Sequence, residues 1–368
     1  MRSRPGQTRR GRGALSNDSG RFERHTRHAF NDGWDGGWDD GAATGPAPAT
    51  QLHEDASRTV IARNNSPDVG FDRSINPYRG CEHGCIYCYA RPTHAFLGHS
   101  PGLDFETQIY TKPDAARALT AELAAPRYDA RPIAMGTNTD PYQPIERWLK
   151  ITRSILEVLA AHNHPVTITT KSAGIIRDLD ILGEMAKRNL ASVALSVTSL
   201  DRRLARDMEP RAAAPQRRLD AIAAAAAAGV PVSVMVAPII PGLNDHELEA
   251  ILERAADAGA VGAGYILLRL PLEVAGLFRE WLEEARPDQA SKVLHRLTGM
   301  RGGKLNDPGF ATRMVGTGPE ADLLRQRFAA ACRRYGLARS PQKLETGLFV
   351  RPIAQCNFKS DQKQLALF

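Results

Sequence analysis

Ser74 to Ala90 reads S-I-N-P-Y-R-G-C-E-H-G-C-I-Y-C-Y-A and sets Cys81, Cys85 and Cys88 in a C-x3-C-x2-C spacing. Three of the five cysteines therefore fall within eight residues. A compact loop with three thiolates can hold three irons of a 4Fe-4S cube. Ordinary ferredoxin-type cubes take four cysteines, so the fourth iron is left open to a chelating ligand. The competing chemistry is a zinc knuckle completed by His83, Cys332 or Cys356, because C-x2-C pairs are common zinc signals.

The rest of the chain must supply a scaffold that positions such a loop. At 368 residues, with 42% hydrophobic and 24% charged, it reads as soluble and globular with a substantial core. Lys and Arg number 48 against 41 Asp and Glu, a net +7 concentrated in the first 28 residues and between Arg202 and Arg218. That excess admits a polyanionic partner without requiring one. Five cysteines, three of them clustered, are no disulfide framework, and a labile iron-sulfur site needs a reducing compartment, so a cytoplasmic location is expected. The N-terminus lacks the apolar core of a secretory signal. Ala221 to Ile240 is broken by Gly229, Pro231 and Pro238, and reads as a helix running into a strand rather than a membrane span.

Residues 1–55 are rich in Gly, Arg, Asp and Pro and read as a basic, largely disordered arm. Arg2, Arg4, Arg9, Arg10 and Arg12 are placed to touch phosphates, and Trp34 and Trp38 to clamp the arm onto the domain. Residues 56–300 form the core, 301–350 a C-terminal extension and 351–368 a flexible tail. From Phe71 onward, short Val/Ile runs alternate with amphipathic segments, the pattern of parallel strands with crossover helices. Six strands are expected, at 73–78, 132–136, 166–170, 192–197, 232–237 and 265–270. The fold class is thus α/β, a partial (β/α)6 TIM-type barrel whose chemistry sits at the C-terminal strand ends. Asn244 and Glu247 have capping-box spacing before a helix closed by Gly259. A final helix at 320–335 buries Cys332.

Polar groups cluster at the predicted strand ends. After the second strand, G-T-N-T-D-P-Y-Q-P-I-E (Gly136 to Glu146) aims hydrogen-bonding groups at the rim. The third strand ends T-T-K-S with Lys171 and Ser172, and the fourth ends at Ser196 in L-S-V-T-S. A bound zwitterion needs a cation beside its carboxylate, for which Lys171 and Arg218 are the candidates.

The cysteine spacing with Tyr87 inside it resembles the signature of the radical S-adenosylmethionine (radical SAM) superfamily. M-E-P-R-A-A-A-P-Q-R-R-L-D-A-I (208–222), V-M-V-A-P-I-I-P-G-L-N-D (234–245) and T-D-P-Y-Q-P-I-E are similar to the branch containing spore photoproduct lyase. The likeness spans about residues 70 to 270. It implies a 4Fe-4S cluster on Cys81, Cys85 and Cys88, with S-adenosylmethionine chelating the open iron. Tyr87 would pack near the adenine, the Gly136–Thr137 loop would hold the methionine amino group, and Lys171, Ser196 and Arg218 would contact the cofactor. One electron from an electron donor would cleave the sulfonium, and the 5′-deoxyadenosyl radical would abstract hydrogen from a nucleic-acid lesion or modified base. A small metabolite or protein is the alternative substrate, and a non-catalytic zinc-stabilised nucleic-acid-binding module the alternative function. Spore photoproduct lyase has a hydrogen-donating cysteine just after the second strand, where this chain has Gly136-Thr137-Asn138. Tyr142 is the expected donor in its place. The last residues, Gln364, Leu365, Leu367 and Phe368, resemble the peptide by which bacterial repair proteins dock on the sliding clamp.

Overall fold

A computed structural model describes residues 11–23, 26, 49–340 and 342–353. Arg2, Arg4, Arg9, Arg10, Trp34, Trp38, Cys356 and the clamp-like residues 364–368 lie outside them.

Ten strands form two sheets. They are β1 (Gln51–Glu54), β2 (Ile61–Arg63), β3 (Arg73–Ile75), β4 (Tyr78–Arg79), β5 (Gln108–Thr111), β6 (Ile133–Met135), β7 (Val166–Thr170), β8 (Ala191–Ser196), β9 (Val232–Ile239) and β10 (Gly262–Leu267). The large sheet runs β10-β9-β8-β7-β6-β3-β2. Its members from β3 to β10 pair in parallel, and β2 caps the β3 edge antiparallel. Six parallel strands in chain order are the expected partial barrel. The small sheet, β1-β5-β4, sits in the first crossover beside the cysteines.

The helices are α1 (Asp104–Thr107), α2 (Ala115–Leu123), α3 (Glu146–Leu149), α4 (Ile151–Ala161), α5 (Leu179–Ala186), α6 (Arg202–Met208), α7 (Pro215–Ala227), α8 (Leu248–Asp257), α9 (Val274–Ala285), α10 (Pro287–Gly299) and α11 (Pro319–Arg334). Pro215, Pro287 and Pro319 open their helices at the position where a missing N–H costs nothing. In β9, Val232, Val234 and Val236 are fully buried and join one core cluster with Ile222 of α7 and Ile251 of α8. Their alternates Ser233, Met235 and Ala237 are half-buried, the other pleat of an open barrel. A second cluster joins Phe278 and Trp281 of α9 to Ile86 and Tyr87 of the cysteine loop.

Several sequence expectations change. The last barrel strand starts at Gly262, three residues early: a Cβ on Gly262 or Gly264 would come within 2.6 Å of Ser233 Oγ or 2.7 Å of Met235 Sδ. These glycines admit β9 rather than precede a strand. The first strand stops at Ile75, and Tyr78–Arg79 cross to the small sheet. Asn244 and Glu247 are no capping box. Asn244 Nδ2 donates to Thr198 O (2.7 Å), and Glu247 Oε2 accepts the Leu200 amide (2.7 Å), so both tie down the loop after β8.

Residues 11–23 pack against the barrel, in place of an arm without structure. Arg12 is 7% exposed and donates to Glu106 O at 2.6 Å, which removes it from the candidate phosphate contacts. The C-terminal residues share the barrel's core: Leu324, Phe328 and Cys332 of α11 join the main cluster, and Val350 N donates to His162 O at 2.9 Å. Among the described residues no helix is long and apolar enough to cross a membrane.

Candidate active site

The loop that carries the cysteines is pinned at many points. Its glycines Gly80 and Gly84 take positive φ (80° and 67°), and a Cβ on Gly84 would lie 2.7 Å from Glu106 Oε2. Cys81 N donates to Phe105 O (2.9 Å) and Ile86 N to Met208 O (3.0 Å). Arg91, fully buried, donates to the carbonyls of Cys85 (2.9 Å), Gly84 (3.1 Å), Pro101 (3.1 Å) and Gly102 (2.9 Å), and pairs with Glu106 at 2.6 Å. Glu106 in turn accepts the amides of Gly13 (2.9 Å) and Ala14 (2.8 Å), so the N-terminal segment closes over the loop. Between the first two cysteines, Glu82 accepts Thr50 Oγ1 (2.6 Å) and the Ile145 amide (2.7 Å) and pairs with Arg211 (3.0 Å). A loop held this way keeps its side-chain directions fixed before any ligand arrives.

Cys81 and Cys85 are buried, Cys88 nearly so, and all three are free thiols. Burial pushes all three up from the usual thiol range. Asp140 adds to the rise at Cys81 and Glu209 at Cys85, while Lys171 opposes it at Cys85 and, behind Arg91, at Cys88. Such thiols are poor nucleophiles, and a soft metal is what turns them into thiolate ligands. The donor set fits an iron-sulfur cube better than zinc. His83 is turned to Asp140 (Nδ1 to Oδ2 3.3 Å), and Cys332 is buried on α11. Among the described residues no three His, Cys, Asp or Glu side chains converge on one ion. A cube spreads its thiolates over separate irons and has no need of that convergence.

Two buried carboxylates organise the rim. Asp140 accepts Thr170 Oγ1 (2.7 Å), the Lys171 amide (2.7 Å) and the Tyr142 amide (2.9 Å), and so joins the loop after β6 to the end of β7. Burial alone would raise its pKa, but His83 and these donors outweigh it and hold the carboxyl at about 2. Glu209 accepts Thr198 Oγ1 (2.7 Å), the Tyr87 hydroxyl and the Arg218 guanidinium. Burial is again outweighed, here by Arg218 and Lys171, leaving it at about 2.

The sequence-predicted residues divide on this geometry. Tyr87, anchored on Glu209, presents its ring to Lys171, whose Nζ stands 5.9 Å from the ring centre and 3.4 Å from Ala237 O. Gly136, at φ 83°, is needed because a Cβ would meet Thr169 O at 1.9 Å, and Thr137 Oγ1 accepts from Asn76 at 3.3 Å. Ser196 ends β8, its carbonyl accepting Arg218 Nη1 at 3.0 Å. Arg218, 1% exposed, also donates to Ala213 O (2.6 Å) and pairs with Glu209. Tyr142 is buried too, its phenol facing Asp178, Arg177 and Glu146 without a hydrogen-bond partner among the described residues, and Arg177 stands 5.8 Å above the ring. Sequence reasoning missed Glu209, Glu106 and Tyr89. Only Tyr89 carried a local signal, as the aromatic directly after Cys88. It is 43% exposed, donates to Thr137 O and lies under Arg269 at 4.4 Å.

The profile of the radical SAM superfamily matches residues 75–255, the span from β3 to α8. An uncharacterised protein of Mycobacterium tuberculosis is 38% identical over 307 residues, 82% of this chain and 86% of its own. One from Methanocaldococcus jannaschii is 29% identical over 173 residues, 47% of this chain and 62% of its own. Among solved structures, a spore photoproduct lyase mutant superposes with a TM-score of 0.56 at 17% identity, covering 78% of this chain and 80% of the other. A spore photoproduct lyase mutant with bound AdoMet and dinucleoside spore photoproduct gives 0.55 at 16%, with the same coverage. The structural likenesses show a shared fold. With a pinned three-cysteine loop at the head of a six-stranded partial barrel, this chain belongs to the radical SAM superfamily of enzymes.

Proposed function

We propose that Cys81, Cys85 and Cys88 hold a 4Fe-4S cluster, that S-adenosylmethionine binds beside it against Tyr87, Lys171, Ser196 and the Gly136–Thr137 loop, and that the substrate is a nucleic-acid lesion or modified base. The observation that carries the cofactor reading is the set of three free thiols on one pinned loop, two of them buried and the third half-buried, with Lys171 facing Cys85 and Cys88. When bound, the cluster and S-adenosylmethionine supply a carbon-centred radical that removes hydrogen from carbon, chemistry no side chain here can perform.

The chain's own residues hold and shield that chemistry. Lys171 forms no ion pair among the described residues, whereas Arg218 is paired with Glu209, so Lys171 is a group available to a ligand carboxylate. Glu209 orients the Tyr87 ring, and Asp140 fixes the Lys171 backbone. Tyr87 and the tilted Phe278–Trp281 pair of α9 pack in one apolar cluster with the loop, and the Gly13–Ala14 backbone, bonded to Glu106, lies against Gly84, packing that would limit access of water and oxygen.

The nucleic-acid reading is supported by the net charge of +7 and by the fold shared with spore photoproduct lyase, which has been seen with a dinucleoside photoproduct. Anaerobic reconstitution with iron and sulfide, followed by dithionite and S-adenosylmethionine, should yield 5′-deoxyadenosine. A colourless, zinc-loaded protein that forms none would overturn the reading.

A further inference from the structure

At the C-terminal end of β10 the cations exceed the carboxylates bonded to them. Arg301 is 3% exposed and donates to Leu268 O (2.7 Å), Leu267 O (2.8 Å) and Arg313 O (3.1 Å). Its remaining Nη1 is buried and meets no acceptor among the described residues. Asp307 is the carboxylate that faces it, yet Asp307 accepts the Thr312 hydroxyl and the Gly309 amide (2.9 Å) instead. Burial pushes Arg301 down to about 10, with Asp307 opposing and Arg269 adding to the fall, so it remains a cation at neutral pH.

Arg269 lies over the Tyr89 ring and makes no hydrogen bond among the described residues. Cys88 is among the groups that face it. Arg313 pairs with Asp68 at 2.5 Å and covers Phe310, half of whose ring is exposed, at 4.9 Å. A buried cation with an open donor is costly until an anion completes it. Guanidinium forks match phosphate oxygens, and cations beside an exposed ring are how single-stranded nucleic acid is held.

We propose that Arg269 and Arg301 form a phosphodiester subsite at the barrel mouth, with Phe310, held under Arg313, beside it to receive a flanking base. This rests on the nucleic-acid reading above and assigns that substrate's backbone a place next to the cysteine loop.

The test is fluorescence anisotropy of a labelled single-stranded oligodeoxynucleotide with the reconstituted full chain, across a salt series. A methylphosphonate oligomer of the same sequence and inorganic phosphate serve as the comparison probes. Arg269→Gln and Arg301→Gln should each weaken binding about tenfold, the worth of one charge-assisted hydrogen bond, and lower the salt slope by about 1. The uncharged methylphosphonate should bind the unaltered protein no better than the phosphodiester binds the variants. Unchanged affinity in the variants, equal affinity for the uncharged backbone, or no oligonucleotide binding at all would overturn the subsite. Inorganic phosphate competing as strongly as the oligonucleotide would reassign it to a free anion and overturn the phosphodiester. Arg301 also ties three carbonyls, so if Arg301→Gln fails to fold, Arg269→Gln decides. S-adenosylmethionine binding is measured on the same preparations. Its absence from a protein that still binds the oligonucleotide would overturn the cofactor reading and leave the subsite standing.

Discussion

Arg91 and Arg301 are both withdrawn from solvent, at 0% and 3% exposure, yet their surroundings are opposite. Arg91 donates to four carbonyls and holds Glu106, a carboxylate that is itself fully buried and that also faces Arg12. Arg301 donates to three carbonyls and, among the described residues, bonds no carboxylate. The first environment is electrically closed and fixes the cysteine loop. The second lacks a bonded counter-ion among the described residues and borders the cysteine loop through Arg269 and Tyr89. A buried charge thus reads as scaffold where its counter-ion is built in, and as a binding site where it is not.

The contrast is sharpest where the closed region is attacked directly. Replacing Cys81, Cys85 or Cys88 with Ala should drop reconstituted iron to background and abolish 5′-deoxyadenosine, while Cys332→Ala leaves iron content unchanged. Equal loss in Cys332→Ala would break the three-ligand assignment. Next in size is Glu106→Gln, which keeps the shape but leaves Arg91 an unpaired buried charge. Breaking such a pair costs about 3–5 kcal/mol, to be read from chemical denaturation. The iron-binding stoichiometry of the surviving fold should fall with it. A cost near zero would show that Arg91 is neutralised elsewhere.

At the rim the effects should be graded. Lys171→Ala should weaken S-adenosylmethionine binding by about 1.5–3 kcal/mol, one hydrogen bond to a charged group, with iron content intact. Equilibrium dialysis with labelled cofactor measures this, and unchanged affinity would remove Lys171 from the site.

The smallest effect is a pH dependence far from both arginines. His164 is fully buried. Its Nε2 meets the Tyr128 hydroxyl (2.7 Å), its Nδ1 the Pro165 carbonyl (3.0 Å), and burial pushes its pKa down to about 4. Between that value and the usual histidine range the unfolded chain binds the extra proton, so stability falls as pH drops through this window. The loss by pH 5 should be on the order of 1–2 kcal/mol. A His164→Gln variant whose midpoint is flatter across pH 5–7 would support the assignment, and an unchanged slope would refute it.

Much of the barrel was legible because its signals are local. Val166–Thr170 was placed to the residue, since a β-branched run between loop residues needs no distant partner to be recognised. The sixth strand was misplaced because Gly262 and Gly264 look like loop residues until β9 is seen lying against them. Asn244 and Glu247 fit a capping pattern by spacing, but the carbonyl and amide they satisfy belong to the loop after β8. The basic N-terminal stretch looked like a phosphate arm for the same reason: the carbonyl that binds Arg12 lies 94 residues away.

The sequence by itself determined the candidate ligand set and the superfamily resemblance. Three cysteines within eight residues stay close in any fold, since covalent spacing alone bounds their separation. It also determined the number and order of the barrel strands, which rest on short-range hydrophobic periodicity. Only the tertiary structure decided which charges are free. Arg218 meets Glu209 nine residues away across a loop, Arg91 meets Glu106 fifteen residues away, and among the described residues neither Lys171 nor Arg301 forms an ion pair with a carboxylate. An ion pair depends on where two backbones bring their side chains in a medium of low dielectric, and sequence distance carries no information about that.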